Sequence, residues 1–215
     1  MRNYCLGAAG TRRSAMSDDE FARFNYGAIF FHWAIAGLIV ANVLIGWSFS
    51  AIQGPLRQEV FQLHKSIGIT VLLLSALRLM WRRLSTLPPF PATMSAWEKL
   101  SAKFVEKWLY FVMFAMPLTG WAAVSSSGLH IPTMLFGSVH WPDIPVLGTL
   151  PLEKQLAAYS FFIGAHRFVA KMIYVLVGFH VLGALRHHFI KRDLVLARMI
   201  PSLARNGARA DLRDY

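Results

Sequence analysis

Four histidines of this chain sit where histidine is costly. His32, His64, His166 and His180 each lie inside or at the edge of a long apolar run. Ionisable side chains at membrane depth are expensive to bury and usually functional. His166 and His180 share one run and stand fourteen residues apart. On an α-helix that is close to four turns, so both rings leave nearly the same face, about 21 Å apart along the axis. Imidazole is a common axial ligand of haem iron. Two pairs of histidines at two depths would hold two haems, one above the other across a bilayer.

Four runs must position these rings: Tyr26 to Phe49, Val60 to Trp81, Phe104 to Val124 and Ala157 to Leu185. Each meets or approaches the ~20 residues a spanning helix needs. An open strand leaves its backbone unsatisfied in lipid, so all four read as helices. A hydrophobic share of 55% and a mean hydropathy of +0.43 fit a small integral membrane protein. The expected fold is all-α, an integral membrane four-helix bundle over residues 26–200. A tail (1–25) precedes it and a basic tail (201–215) follows.

The net charge of +11 raises the question of nucleic acid, and placement answers it. Arg2, Arg12, Arg13 and Arg23 lie in the N-terminal tail. Arg78, Arg82, Arg83, Lys99, Lys103 and Lys107 flank the middle connection, and Arg186, Lys191, Arg192, Arg198, Arg205, Arg209 and Arg213 follow the last run. The other side holds only Arg57, Lys65, Lys154, Arg167 and Lys171. This is the positive-inside pattern, and it puts both termini in the cytoplasm. No nucleic-acid motif accompanies the charge.

Cys5 is the single cysteine, so an intrachain disulfide is impossible. No Cys-x-x-Cys-His occurs; a haem here is held without covalent attachment, as in b-type cytochromes. No apolar core precedes Tyr26, which argues against a cleaved signal peptide. Met16, opening Met-Ser-Asp-Asp-Glu, reads as an alternative start that leaves residues 1–15 outside the native chain.

Punctuation sets the boundaries. Asn25 and Trp47 bound the first helix; Gly54 and Pro55 read as breakers after it. Pro88, Pro89 and Pro91 stop the second. Ser95 to Glu98 reads as a capping box, leading through Trp97, Leu100, Phe104 and Trp108 into a third span with a kink expected at Met116-Pro117. That span carries no histidine and is expected only to pack. The connection from Ser125 to about Leu156 shows no period and reads equally as a lid or as a plain interfacial loop.

Depth then pairs the rings. His32 lies about six residues past Tyr26, and His180 six before Arg186; His64 opens the second helix on the outer side, and His166 lies in the outer part of the fourth. His32 is expected to pair with His180, and His64 with His166. Gly68, Gly164, Gly178 and Gly183 near the ligands suggest close approach of a flat macrocycle, or ordinary small-residue helix packing. Lys65, Arg167 and Lys171 near the outer pair, and Arg82, Arg83 and Arg186 near the inner, would offset haem propionates or snorkel. His187 and His188 read as solvated, and His130 and His140 as loop surface.

Phe31-His32-Trp33, Leu63-His64-Lys65-Ser66-Ile67-Gly68, His166, Phe179-His180, Arg186-His187-His188-Phe189 and Arg192-Asp193 together resemble the bacterial cytochrome b561 family. The likeness covers about Phe24 to Pro201 and includes Gly128 to Pro132 and Phe136-Gly137. It implies a four-helix inner-membrane protein with two haem b groups, bound by His32, His64, His166 and His180, exchanging electrons with ubiquinone. One branch oxidises periplasmic superoxide to dioxygen. A related branch is the cytochrome subunit of nickel–iron hydrogenase, which takes electrons from a periplasmic protein donor. The compact chain looks closer to the stand-alone branch. A cationic rim would steer superoxide, and Lys65, Arg167 and Lys171 are the candidates, with Arg57 and Lys154 further out. A niche of Arg78, Trp81 and Arg82 near the inner pair is the candidate quinone site. Bis-histidine ligation leaves no open iron position, so outer-sphere transfer is expected. A histidine-lined transporter is the weakest reading.

Overall fold

The computed structural model describes residues 23–91, 93–129, 131–200 and 202–203. The expectations on Cys5, on Met16 and residues 1–15, on His130 and on the tail from residue 204 lie outside them. Among the described residues four helices are long and apolar enough to cross a membrane. They are α1 (Tyr26–Ser48), α2 (Pro55–Leu84), α3 (Ala96–Ser125) and α5 (Leu152–Arg186), the last running on into a π-helical turn, His187–Lys191. Between α3 and α5 lie two short strands, β1 (Thr133–Leu135) and β2 (Val139–Trp141), and one turn of helix, α4 (Pro145–Gly148). The chain is therefore not purely helical, although the bundle is.

The helix ends follow local chemistry. Asn25 caps α1, its side-chain oxygen accepting from the Ala28 N–H at 2.8 Å. Pro55 opens α2 rather than breaking the chain, because the first helical position needs no N–H. That is why α2 begins five residues before the expected Val60. The Ser95–Glu98 capping box forms, and α3 is one helix from Ala96 through Pro117 to Ser125. Glu98 is buried and also receives Arg186 at 2.6 Å and Lys191 at 3.0 Å. This clamp ties the start of α3 to the end of α5. His187, read as solvated, is instead buried and bonded to Asp193. The π-helical turn folds the chain back so that a carboxylate reaches its ring.

Two apolar clusters hold the bundle. Ile35, Ile67, Val71 and Met113 join α1, α2 and α3, while Val112, Val169, Ile173 and Leu176 join α3 to α5. Large apolar side chains such as Phe30, Phe111, Phe168 and Phe179 remain exposed around the outside, as a lipid-facing surface requires. The packing is a chain of neighbours, α1 on α2, α2 on α3, α3 on α5. Among the described residues no Cα of α5 comes within 8 Å of a Cα of α1 or α2.

The connection that reads equally as a lid or a plain loop contains an ordered hairpin. β1 and β2 pair antiparallel, Thr133 opposite Trp141. Gln62 on α2 acts as a strand edge for it, donating to the Pro132 carbonyl at 2.9 Å and accepting from the Met134 N–H at 3.2 Å. Ser66 Oγ accepts from the Phe136 N–H at 2.9 Å. Trp121 Nε1 donates to the Pro142 carbonyl and fixes the far side of the loop to α3. At the tip, Phe136 and Gly137 both have positive φ, 48° and 74°. Glycine tolerates this; Phe136 is held there by its bond to Ser66.

Candidate functional site: two facing histidine pairs

α5 is the element from which the site is built. Along it, positions 166, 169, 173, 176, 180 and 187 recur at three- and four-residue steps, or their sum, and so share one stripe. Val169, Ile173 and Leu176 in the middle of that stripe are buried against α3. The histidines stand on the same seam, above and below this packed section. Gly164 and Gly178 lie two residues, about 200°, round from their neighbouring histidines. They face away from them, and a Cβ there would meet nothing within 4 Å.

The structure brings the four rings together in the pairs that depth counting gives. His32 and His180 have ring centroids 5.9 Å apart at 56° between planes. His64 and His166 have centroids 6.2 Å apart at 74°. Each pair reaches side chain to side chain across backbones that do not touch. An imidazole nitrogen binds a transition metal at about 2 Å, so two rings either side of one metal place their centroids roughly 6 Å apart. Among the described residues no group of three or more His, Cys, Asp or Glu side chains converges as a metal cage would need. Two imidazoles per site match an iron whose other ligands come from a macrocycle. The donor set and its spacing fit haem.

The third span does more than pack. His166 Nδ1–H donates to the Met116 carbonyl at 3.0 Å, and Thr119 Oγ1 lies 3.3 Å from the same nitrogen. That acceptor places the proton on Nδ1 and leaves Nε2 with its lone pair, as a metal-ligating histidine requires. The ring can lie so close because the next turn of α3 carries Gly120. A Cβ there would sit 3.0 Å from His166 Cε1 and 3.1 Å from Nδ1. A glycine in a helix one turn beyond a backbone acceptor was the signal; without a histidine on the same span nothing pointed to it.

The three candidate steering cations fall into two environments. Arg167 and Lys171 are exposed on the flank of α5. Side chains on a helix lean toward its N-terminus, here the hairpin end, so both lean that way. Lys65 is buried, with Nζ over the Phe61 ring at 5.3 Å. At the opposite end, Arg78, Trp81 and Arg82 line a small open cavity with Asn25 and Tyr110. Trp81 Nε1 donates to Asn25 and Arg82 pairs with Glu106 at 2.7 Å. Arg78 rests over the Tyr110 ring at 5.7 Å, and its field reaches both His32 and His180.

The family model of prokaryotic cytochrome b561 matches residues 23–202. Cytochrome b561 homolog 2 of Escherichia coli (strain K12) is 34% identical over 182 residues, 81% of this chain and 90% of that protein. A probable superoxide oxidase CybB of Yersinia pestis is 29% identical over 175 residues, 79% of this chain and 91% of that protein. Cytochrome b562 of Cereibacter sphaeroides is 25% identical over 175 residues, 79% and 89% respectively.

Proposed function

The chain belongs to the prokaryotic cytochrome b561 family, b-haem electron-transfer proteins of the inner membrane, and from that premise we propose that it is a di-haem superoxide:ubiquinone oxidoreductase. The observation that carries this reading is the two facing imidazole pairs stacked along α5. His64 and His166 would hold the haem at the hairpin end, and His32 and His180 the haem at the opposite end. The asymmetry of Lys and Arg supports a periplasmic hairpin end and cytoplasmic termini. Haem supplies one-electron chemistry when bound. The balance is simple. Two superoxide anions each lose an electron and leave as dioxygen, and ubiquinone takes both electrons with two protons to become ubiquinol. His32, His64, His166 and His180 would hold the two haems, and the protein's remaining part would be access and charge beside them.

Arg167 and Lys171 serve that access by drawing the anion toward the hairpin end. In rapid mixing with superoxide, Lys171→Glu slows appearance of the reduced b bands several-fold at low salt and flattens the salt dependence, as loss of steering does. An unchanged rate and slope remove the role. Arg78, with no carboxylate partner among the described residues, is the residue for the quinone headgroup. Arg78→Ala keeps superoxide-driven haem reduction and loses reoxidation by ubiquinone; retained reoxidation removes the site.

The hairpin favours a second reading. Leu129, Phe136 and Val139 are exposed large apolar side chains at one end of the bundle, 72%, 62% and 60% accessible. Such a tip suits a docked periplasmic dehydrogenase or hydrogenase that feeds the same haems. Purified protein whose haems reduce with dithionite but not with superoxide decides for that reading.

A further inference from the structure

Lys65 follows His64 directly on α2, and it carries a charge that nothing in the described structure answers. The residue is 9% exposed, and its Nζ is sealed from solvent. Among the described residues that nitrogen has no hydrogen bond, and no carboxylate stands within ion-pair distance. Its contact is the face of Phe61, one turn toward the hairpin, which interacts with an ammonium but gives it no hydrogen-bond acceptor. Asp143 is the acid whose field reaches it, and Asp143 Oδ1 accepts instead from Ser125 Oγ at 3.5 Å. An ammonium taken from water is stable only when paired.

The burial is built. Gln62 and Ser66, flanking Lys65 on α2, are the two residues that fasten the hairpin to the helix. The ammonium therefore lies between the two anchor points of the hairpin, shielded from solvent and from a diffusing anion. An anion that reaches it must arrive on something seated at His64. A b-type haem carries two carboxylates on its edge.

We propose that Lys65 Nζ binds a propionate carboxylate of the haem held between His64 and His166. This rests on the haem reading of that pair. It moves Lys65 from the substrate rim to the cofactor, as a positioning residue that sets the potential and retention of one haem. It also leaves superoxide steering to Arg167 and Lys171.

The test is potentiometric titration of the holoprotein, followed in the visible b bands, with haem release measured by transfer to an apoprotein acceptor. In Lys65→Met the midpoint of one haem, the one lost in His64→Ala, moves to lower potential. A cation beside the ring edge favours the reduced iron, and its removal favours the oxidised. The other haem keeps its midpoint. Release of the affected haem quickens severalfold, and complete loss of that haem alone supports the proposal equally. Lys65→Arg restores both values. Should Lys65→Met fail to accumulate, Lys65→Gln is read in the same way. Two wild-type midpoints with wild-type release overturn the proposal. If such a variant also has a flattened salt dependence of superoxide-driven reduction, the ammonium serves the substrate anion instead. A wild-type protein without two haems overturns the haem reading itself, a separate result.

Discussion

His180→Ala lowers the haem content from two per chain to one, and adding His32→Ala lowers it no further. The same holds for His166→Ala and His64→Ala. Crossing the pairs, as in His64→Ala with His180→Ala, removes both. This pattern follows from the geometry. Each pair is one site with rings about 6 Å apart, so its two members act as a unit and their losses do not add. The sites are separated by four turns of α5, about 21 Å, and lose their haems independently. No cysteine attachment retains a haem once an axial imidazole is gone. Haem per protein, measured as the pyridine haemochrome, gives the count. If His32 behaved as a unit with His166, the pairing would be wrong.

Gly120→Val empties or distorts the site at the hairpin end while the other site keeps its spectrum. In an ordinary helix, replacing glycine gains stability, by about 1 kcal/mol for alanine. Here the first added carbon already lies 3.0 Å from the His166 ring, which cannot retreat without leaving the Met116 carbonyl. Valine adds two methyl groups to that contact. Gly120→Ala gives a smaller effect of the same kind: a shifted midpoint of the haem between His64 and His166 with both haems retained. Low-temperature spectra and a redox titration of the two variants measure it. A wild-type pair of midpoints in Gly120→Val would leave α3 with packing alone.

Much of the site is written in the spacing of the chain. His166 and His180 announce each other because fourteen residues nearly close four helical turns, and the charged flanks fix which partner lies at which depth. What escaped the sequence did so for physical reasons. Gly120 orients His166 through the space it leaves and a backbone oxygen one turn earlier, neither of which is a side-chain pattern. Strands of three residues are too short to show alternation, and the hairpin takes its register from Gln62 and Ser66, seventy residues away. Pro55 looks like a breaker in a string of letters and serves as a first helical residue in the fold. His187 sits in a basic flank, and only the π-helical turn shows that Asp193 comes back to cover it.

On the two-haem reading proposed above, one unbroken helix carrying a histidine of each pair would have a kinetic meaning. Electron tunnelling falls off steeply with distance, so the transfer rate between two centres depends on how firmly their gap is held. Here the gap between His166 and His180 is measured off in residues of α5 and braced by Val169, Ile173 and Leu176 between them. Movement of the hairpin or of the helix connections would leave that interval unaltered. The length of the tunnelling step is settled when the helix forms.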